Sequence, residues 1–97
     1  MPAPATVIAT AICYSGQGTP EQGVRLEFVL VEAPAGDGES FDSTAFSVLS
    51  DVDGGVTVTL LRAGKYKGRR GVGPWQLFET PDAATMVLPQ LNGADLT

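Results

Sequence analysis

Apolar and polar residues alternate with a period of two along much of the chain, and glycine or proline separates the runs. The pattern is clearest at residues 56–61, where Val56, Val58 and Leu60 interleave with Thr57 and Thr59. It predicts a strand with one buried face. Just before it, Asp51-Val52-Asp53-Gly54-Gly55 predicts a tight turn, because Asp bonds its own backbone and Gly accepts positive φ. A second turn at Ala63-Gly64 leads to a further strand at Lys65-Tyr66-Lys67. This unit organises a β fold and carries no chemistry.

The remaining segments extend the same reading. A first strand is expected over residues 5–14, with Val7, Ala9, Ala11 and Cys13 on one face and Thr6, Ile8, Thr10, Ile12 and Tyr14 on the other. Both faces are fairly apolar, as in an interior or covered strand, and the pattern does not choose between them. Residues 15–23, with three glycines and Pro20, form a loop. Residues 24–32 form a second strand whose core face is Val24, Leu26, Phe28 and Leu30. Arg25 and Glu27 face water, and Val29 and Val31 fit either side. A glycine-rich loop over 33–40 ends near Phe41, and a third strand covers 44–50.

Residues 67–74 hold too much glycine for a regular central strand and predict a bulged edge or a loop. A short strand over 75–80 sets Trp75 and Leu77 on one face and Phe78 on the other; Pro81-Asp82 ends it, and a last strand covers 84–88. Seven short strands without a helical period or an internal repeat give an all-β fold. The expectation is a single antiparallel seven-strand sandwich, immunoglobulin-like or prealbumin-like, over residues 5–89, with an arm at 1–4 and a tail at 90–97.

Composition narrows the chemistry. The chain has 97 residues, 43% of them hydrophobic, enough for one domain with a packed core. Its net charge of −5 argues against nucleic-acid binding through overall charge. Cys13 is the single cysteine and histidine is absent, so neither an internal disulfide nor a cysteine-rich zinc site forms within the chain. Residues 1–5 lack the basic-then-apolar pattern of a signal peptide, and no run reaches transmembrane length. Asp51, Asp53 and Asp82 read as turn residues rather than calcium ligands, since the terminal bidentate Glu of a calcium loop is missing. No base stands in sequence reach of Ser15, Ser47 or Cys13, so catalysis is not expected and no cofactor is called for.

Charge is unevenly placed. Arg62, Lys65, Lys67, Arg69 and Arg70 are five of the six basic residues, with no acid between them. Lysines on an edge strand block stray pairing, and that is the plain reading. The functional reading is a contact patch for an acidic surface, with Trp75 as either a core aromatic or an exposed anchor. The alternation through Leu77 favours the core. Self-association follows if this segment meets the acidic 32–42 segment of another copy; reversing Lys67, Arg69 and Arg70 to Glu should then abolish it.

Gly18-Thr19-Pro20, Gly23-Val24-x-Leu26-x-Phe28, Asp51-x-Asp53-Gly54, Leu60 or Leu61, Gly64 and Tyr66 together resemble the carboxypeptidase-regulatory-like domain. That family is a small prealbumin-type sandwich, and the likeness covers roughly residues 7–66. Trp75-Gln76-Leu77-Phe78-Glu79-Thr80-Pro81-Asp82-Ala83-Ala84 is similar to the ending of small sandwich domains in tailed-phage virion proteins. The glycine-rich 68–74 insertion departs from the cellular family and favours the phage version. The resemblance implies a phage structural protein located in the virion, which decorates or cements the capsid shell without covalent bonds. Its partners would be capsid or tail proteins of the same virion, with a tail or fibre-attachment role as the nearest alternative. A recognition module for host-surface carbohydrate or protein is the reading from another class, with Tyr14, Phe41 and Trp75 as its eligible aromatics.

Overall fold

The computed structural model describes residues 5–34 and 40–91. The arm at 1–4, the middle of the glycine-rich loop (35–39) and residues 92–97 of the tail lie outside the described residues. Seven strands follow the alternating runs: β1 (Thr6–Ile12), β2 (Arg25–Glu32), β3 (Phe46–Leu49), β4 (Gly55–Leu61), β5 (Lys65–Arg70), β6 (Gln76–Glu79) and β7 (Thr85–Val87). They form a three-stranded sheet in the order β4-β1-β7 and a four-stranded sheet in the order β3-β2-β5-β6. The fold is all-β, and the inner faces of the two sheets share one core.

That core settles the open question about the first strand. Val7 and Ala9 of β1 are buried, followed by Cys13, while Ile8 and Ile12 point outward. Val56, Val58 and Leu60 of β4 join them, and Leu26, Phe28 and Leu30 of β2 close the core with Tyr66 of β5. β1, β2, β4 and β5 bury alternate residues, as a period of two requires. The chain keeps contact with this core as far as Leu91.

Two expectations need correction. The strands are not all antiparallel: β1 and β7 pair in parallel, with Ile8 opposite Thr85 and Thr10 opposite Val87. A parallel pair needs a long crossover, and here five strands intervene. Residues 67–70 are also not a loop: β5 runs through Arg70 against β2, and through Gly68 it lies between β2 and β6, whereas residues 71–74 are the loop expected of them. The glycine that argued against a central strand is what permits one. Gly68 is paired with Phe28, and a Cβ there would stand 3.1 Å from the ring atoms Cδ1 and Cε1. The ring takes the space a side chain would fill.

Two buried hydroxyls tie loops to this core. Ser50 Oγ accepts the Val24 N–H at 2.8 Å and donates to the Glu21 carbonyl at 2.6 Å. Thr80 Oγ1 accepts the Gly64 N–H at 2.9 Å and donates to the Leu61 carbonyl at 2.6 Å. Thr80→Val keeps the shape and orphans both backbone groups. It should cost about 1–3 kcal/mol in urea unfolding, with an unchanged slope.

Alkaline pH acts on the same region. Burial pushes the Tyr66 phenol above its ordinary value, and the Leu61 N–H donated to its oxygen offsets part of that. Burial likewise raises the Cys13 thiol, with Arg70 pulling it partly back. A raised folded value means that the folded chain holds the proton more tightly. This stability is fully present below the unfolded values, and it is lost as pH rises from about 9 to above 10 through the folded ones. Unfolding midpoints should therefore fall above about pH 9, with Tyr66→Phe flattening the steeper part of the decline.

Candidate functional site

β5 alternates its side chains between the two faces of the four-stranded sheet, and this divides the basic segment. Lys65, Lys67 and Arg69 share the outer face, whereas Tyr66, Gly68 and Arg70 have the opposite parity. Arg70 reaches the loop before β2, where it donates to the Tyr14 carbonyl at 2.8 Å and to Glu21 Oε2 at 2.8 Å. Arg62 lies beyond β4; its Nε donates to the Thr6 carbonyl at 2.7 Å, and Asp82 stands 3.9 Å from its Nη1. Of the residues expected to form one contact patch, only Lys65, Lys67, Arg69 and Trp75 come together.

The sheet also supplies carboxylates from strands distant in sequence. Glu27 faces Arg69 across the β2–β5 pair, and its Oε1 accepts from Arg69 Nε at 2.7 Å. Lys65 Nζ lies 3.2 Å from Glu32 and 3.9 Å from Glu79. The open positive field expected from the linear run is therefore largely neutralised. Glu32, at one end of the acidic 32–42 segment, pairs within its own chain. A hydrogen bond from the Thr44 side chain, and after it the Thr44 N–H at 2.7 Å, lowers the Asp42 carboxyl below its ordinary value. Among the described residues, Lys67 is the one member of the five without a carboxylate within ion-pair distance.

Lys67 lies over an aromatic ring instead. Its Nζ is 4.9 Å from the centre of the Trp75 ring, and the Arg69 guanidinium carbon is 4.3 Å from it. Trp75 is 37% exposed and lies on the outer face, which corrects its assignment to the core. Phe78 takes the inward position instead, stacked on Tyr66 at 6.0 Å and edge-on to Phe28 at 6.3 Å. The pairing of Trp75 with Leu77 on one face holds, but that face is the solvent side.

Leu77 and Val31 complete the site. Leu77 lies opposite Lys67 in the β5–β6 register and is 71% exposed; Val31 is 52% exposed. Both border a shallow hollow with Lys65, Phe78 and Glu79. Val31 was ambiguous because alternation alone does not say which sheet face a neighbour covers. The result is an aromatic ring held by two cations beside exposed aliphatics on the outer face of the four-stranded sheet, with carboxylates from β2 and β6 paired to Lys65 and Arg69. Trp and Arg are the residue types that most often anchor interfaces.

A larger hollow of about 800 Å³ opens between the sheets near Cys13, Leu26 and Leu88. Among the described residues, the one charged residue lining it, Arg70, is already held by Glu21 and Tyr14. Asp51 and Asp53 form the turn expected of them, with Asp51 Oδ1 accepting the N–H groups of Asp53 at 2.9 Å and Gly55 at 2.8 Å.

No family model, no curated protein and no solved structure matches this chain. None of these comparisons identifies a prealbumin-type or phage virion domain.

Proposed function

We propose that this chain is a small structural protein of a tailed-phage virion that attaches non-covalently to the capsid shell. The observation carrying the attachment is Trp75, held by Lys67 and Arg69 on an open sheet face beside Leu77 and Val31. A ring fixed in this way loses little side-chain freedom when a partner covers it, so its burial goes largely into binding. The mode is adhesion through a preformed face, with no reaction and no cofactor. The phage assignment comes from the sequence likeness of residues 75–84.

The prealbumin variant of the sandwich is the one we adopt. An immunoglobulin constant-type domain, numbered in chain order, groups its first, second, fifth and fourth strands against its third, sixth and seventh. Here the orders are β4-β1-β7 and β3-β2-β5-β6, which favours the other type.

Co-sedimentation of the purified protein with shells lacking it tests the attachment. Trp75→Ala should weaken binding by about 30-fold or more, the scale of an interface anchor, while the circular dichroism spectrum stays unchanged. Undiminished binding of Trp75→Ala would move the contact away from this face.

A further inference from the structure

Among the described residues, β4 is the long open edge. Three of the four sheet edges are short strands: β3 and β6 have four residues each and β7 has three. β4 has seven, with neither charge nor proline. Long uncharged edges of this kind pair with other strands unless something blunts them.

The hydrogen bonds show how much of this edge is open. Arg62 donates to the Ala5 carbonyl and Cys13 to that of Gly54, so the even-numbered residues from 54 to 62 direct their backbone groups at β1. Gly55, Thr57, Thr59 and Leu61 direct theirs outward. Gly55 is capped at one end: its N–H goes to Asp51 Oδ1, and its carbonyl accepts the Asp51 N–H at 2.9 Å. Leu61 is capped at the other: its N–H goes to the Tyr66 hydroxyl at 3.0 Å, and its carbonyl accepts from Thr80 Oγ1 at 2.6 Å. Between the caps, the outward backbone groups of Thr57 and Thr59 have no partner among the described residues.

We infer that this window pairs with the same window of a second copy, β4 against β4, antiparallel about a two-fold axis at Val58. In that register Thr57 of one copy faces Thr59 of the other, and each such pair exchanges both N–H···O bonds. It is the antiparallel register in which each open residue meets an open residue and no capped one. Because 57 and 59 have the same parity, core faces adjoin core faces and the threonines form one outer surface. The two three-stranded sheets then become a single six-stranded sheet.

Charge agrees with the register. The entry to β4 carries Asp51 and Asp53, and its exit carries Arg62. Beyond the paired window, the antiparallel arrangement sets the Arg62 end of one copy toward the Asp51–Asp53 end of the other, at both ends of the contact. The paired stretch is uncharged, so the chain's net charge of −5 places no like charges in the strand contact itself. The contact uses a different sheet from Trp75, so it stands or falls separately from the proposed attachment face.

Sedimentation velocity of the full chain over a concentration series up to about 1 mM, the range of weak association, should show a monomer–dimer equilibrium. The double variant Thr57→Lys/Thr59→Lys should raise the dimer dissociation constant by about tenfold or more with unchanged circular dichroism. A monomer at every concentration, or a dimer indifferent to this variant, would overturn the inference. The register has its own readout. In a Cys13→Ala background, oxidising a mixture of Thr57→Cys and Thr59→Cys chains should give a cross-linked dimer, whereas neither variant alone should. Cross-linking of Thr57→Cys with itself, or no cross-link in the mixture, would contradict the two-fold at Val58.

Discussion

Phe28→Ala should lower the free energy of unfolding by about 3–5 kcal/mol, the cost of emptying an aromatic site in a packed core. Phe28 is fully buried, and its ring is the meeting point of the four-stranded sheet's inner face. Phe46 of β3 lies 5.8 Å away, and Phe78 of β6 meets it edge-on at 6.3 Å. Gly68 lies beneath it on β5 with no side chain to collapse into the vacated space. Residual cavity should therefore put the cost in the upper part of the range. A domain of this size holds roughly 5–15 kcal/mol in total, so the variant gives up a large share of its stability. Urea unfolding followed by Trp75 fluorescence measures the change. A loss under about 1 kcal/mol would mean that the core repacks around the site.

Gly54→Ala is the second large effect, and its cause is backbone rather than packing. Gly54 has φ of +78°, where an L side chain is strained, and a Cβ there would stand 2.6 Å from the Cys13 carbonyl oxygen. That oxygen is fixed, because it accepts the Glu21 N–H at 2.9 Å while Cys13 donates to the Gly54 carbonyl at 2.8 Å. Pro20 closes the remaining side at 3.2 Å. Relief means breaking the junction between the β1 exit, the loop before β2 and the β3–β4 turn. The positive-φ strain and the clash together should cost about 2–4 kcal/mol. Amide exchange should quicken first at Cys13 and Glu21, which separates this local mechanism from general loosening.

The strands were legible in the sequence wherever one face meets core and the other meets water. Val56, Val58 and Leu60 against Thr57 and Thr59 needed no further information, nor did Leu26, Phe28 and Leu30. β1 was not legible, because Ile8 and Ile12 are as apolar as the residues it buries. The composition of the strand does not say that its outward face is covered by nothing among the described residues. Gly68 misled because a glycine reads as a break until the ring that fills its place is known. That ring is 40 residues away in sequence and one strand away in space.

The candidate site was legible in part. Lys67, Arg69 and Trp75 are near neighbours in sequence, and their convergence needed only the hairpin between β5 and β6. Their charge balance was hidden, because Glu27 and Glu32 reach Arg69 and Lys65 from β2 across the sheet. Arg70 looked equivalent to Arg69, but strand parity sends it to the other side. A linear run of cations becomes a patch only as far as alternation allows.

The central claim is attachment to a virion shell, and quantitative mass spectrometry of gradient-purified particles tests it most directly. The ratio to be measured is this chain against the major shell protein. An abundance comparable to the shell protein is the result expected of a decoration or cement protein. Absence of the chain from intact particles would contradict the proposal.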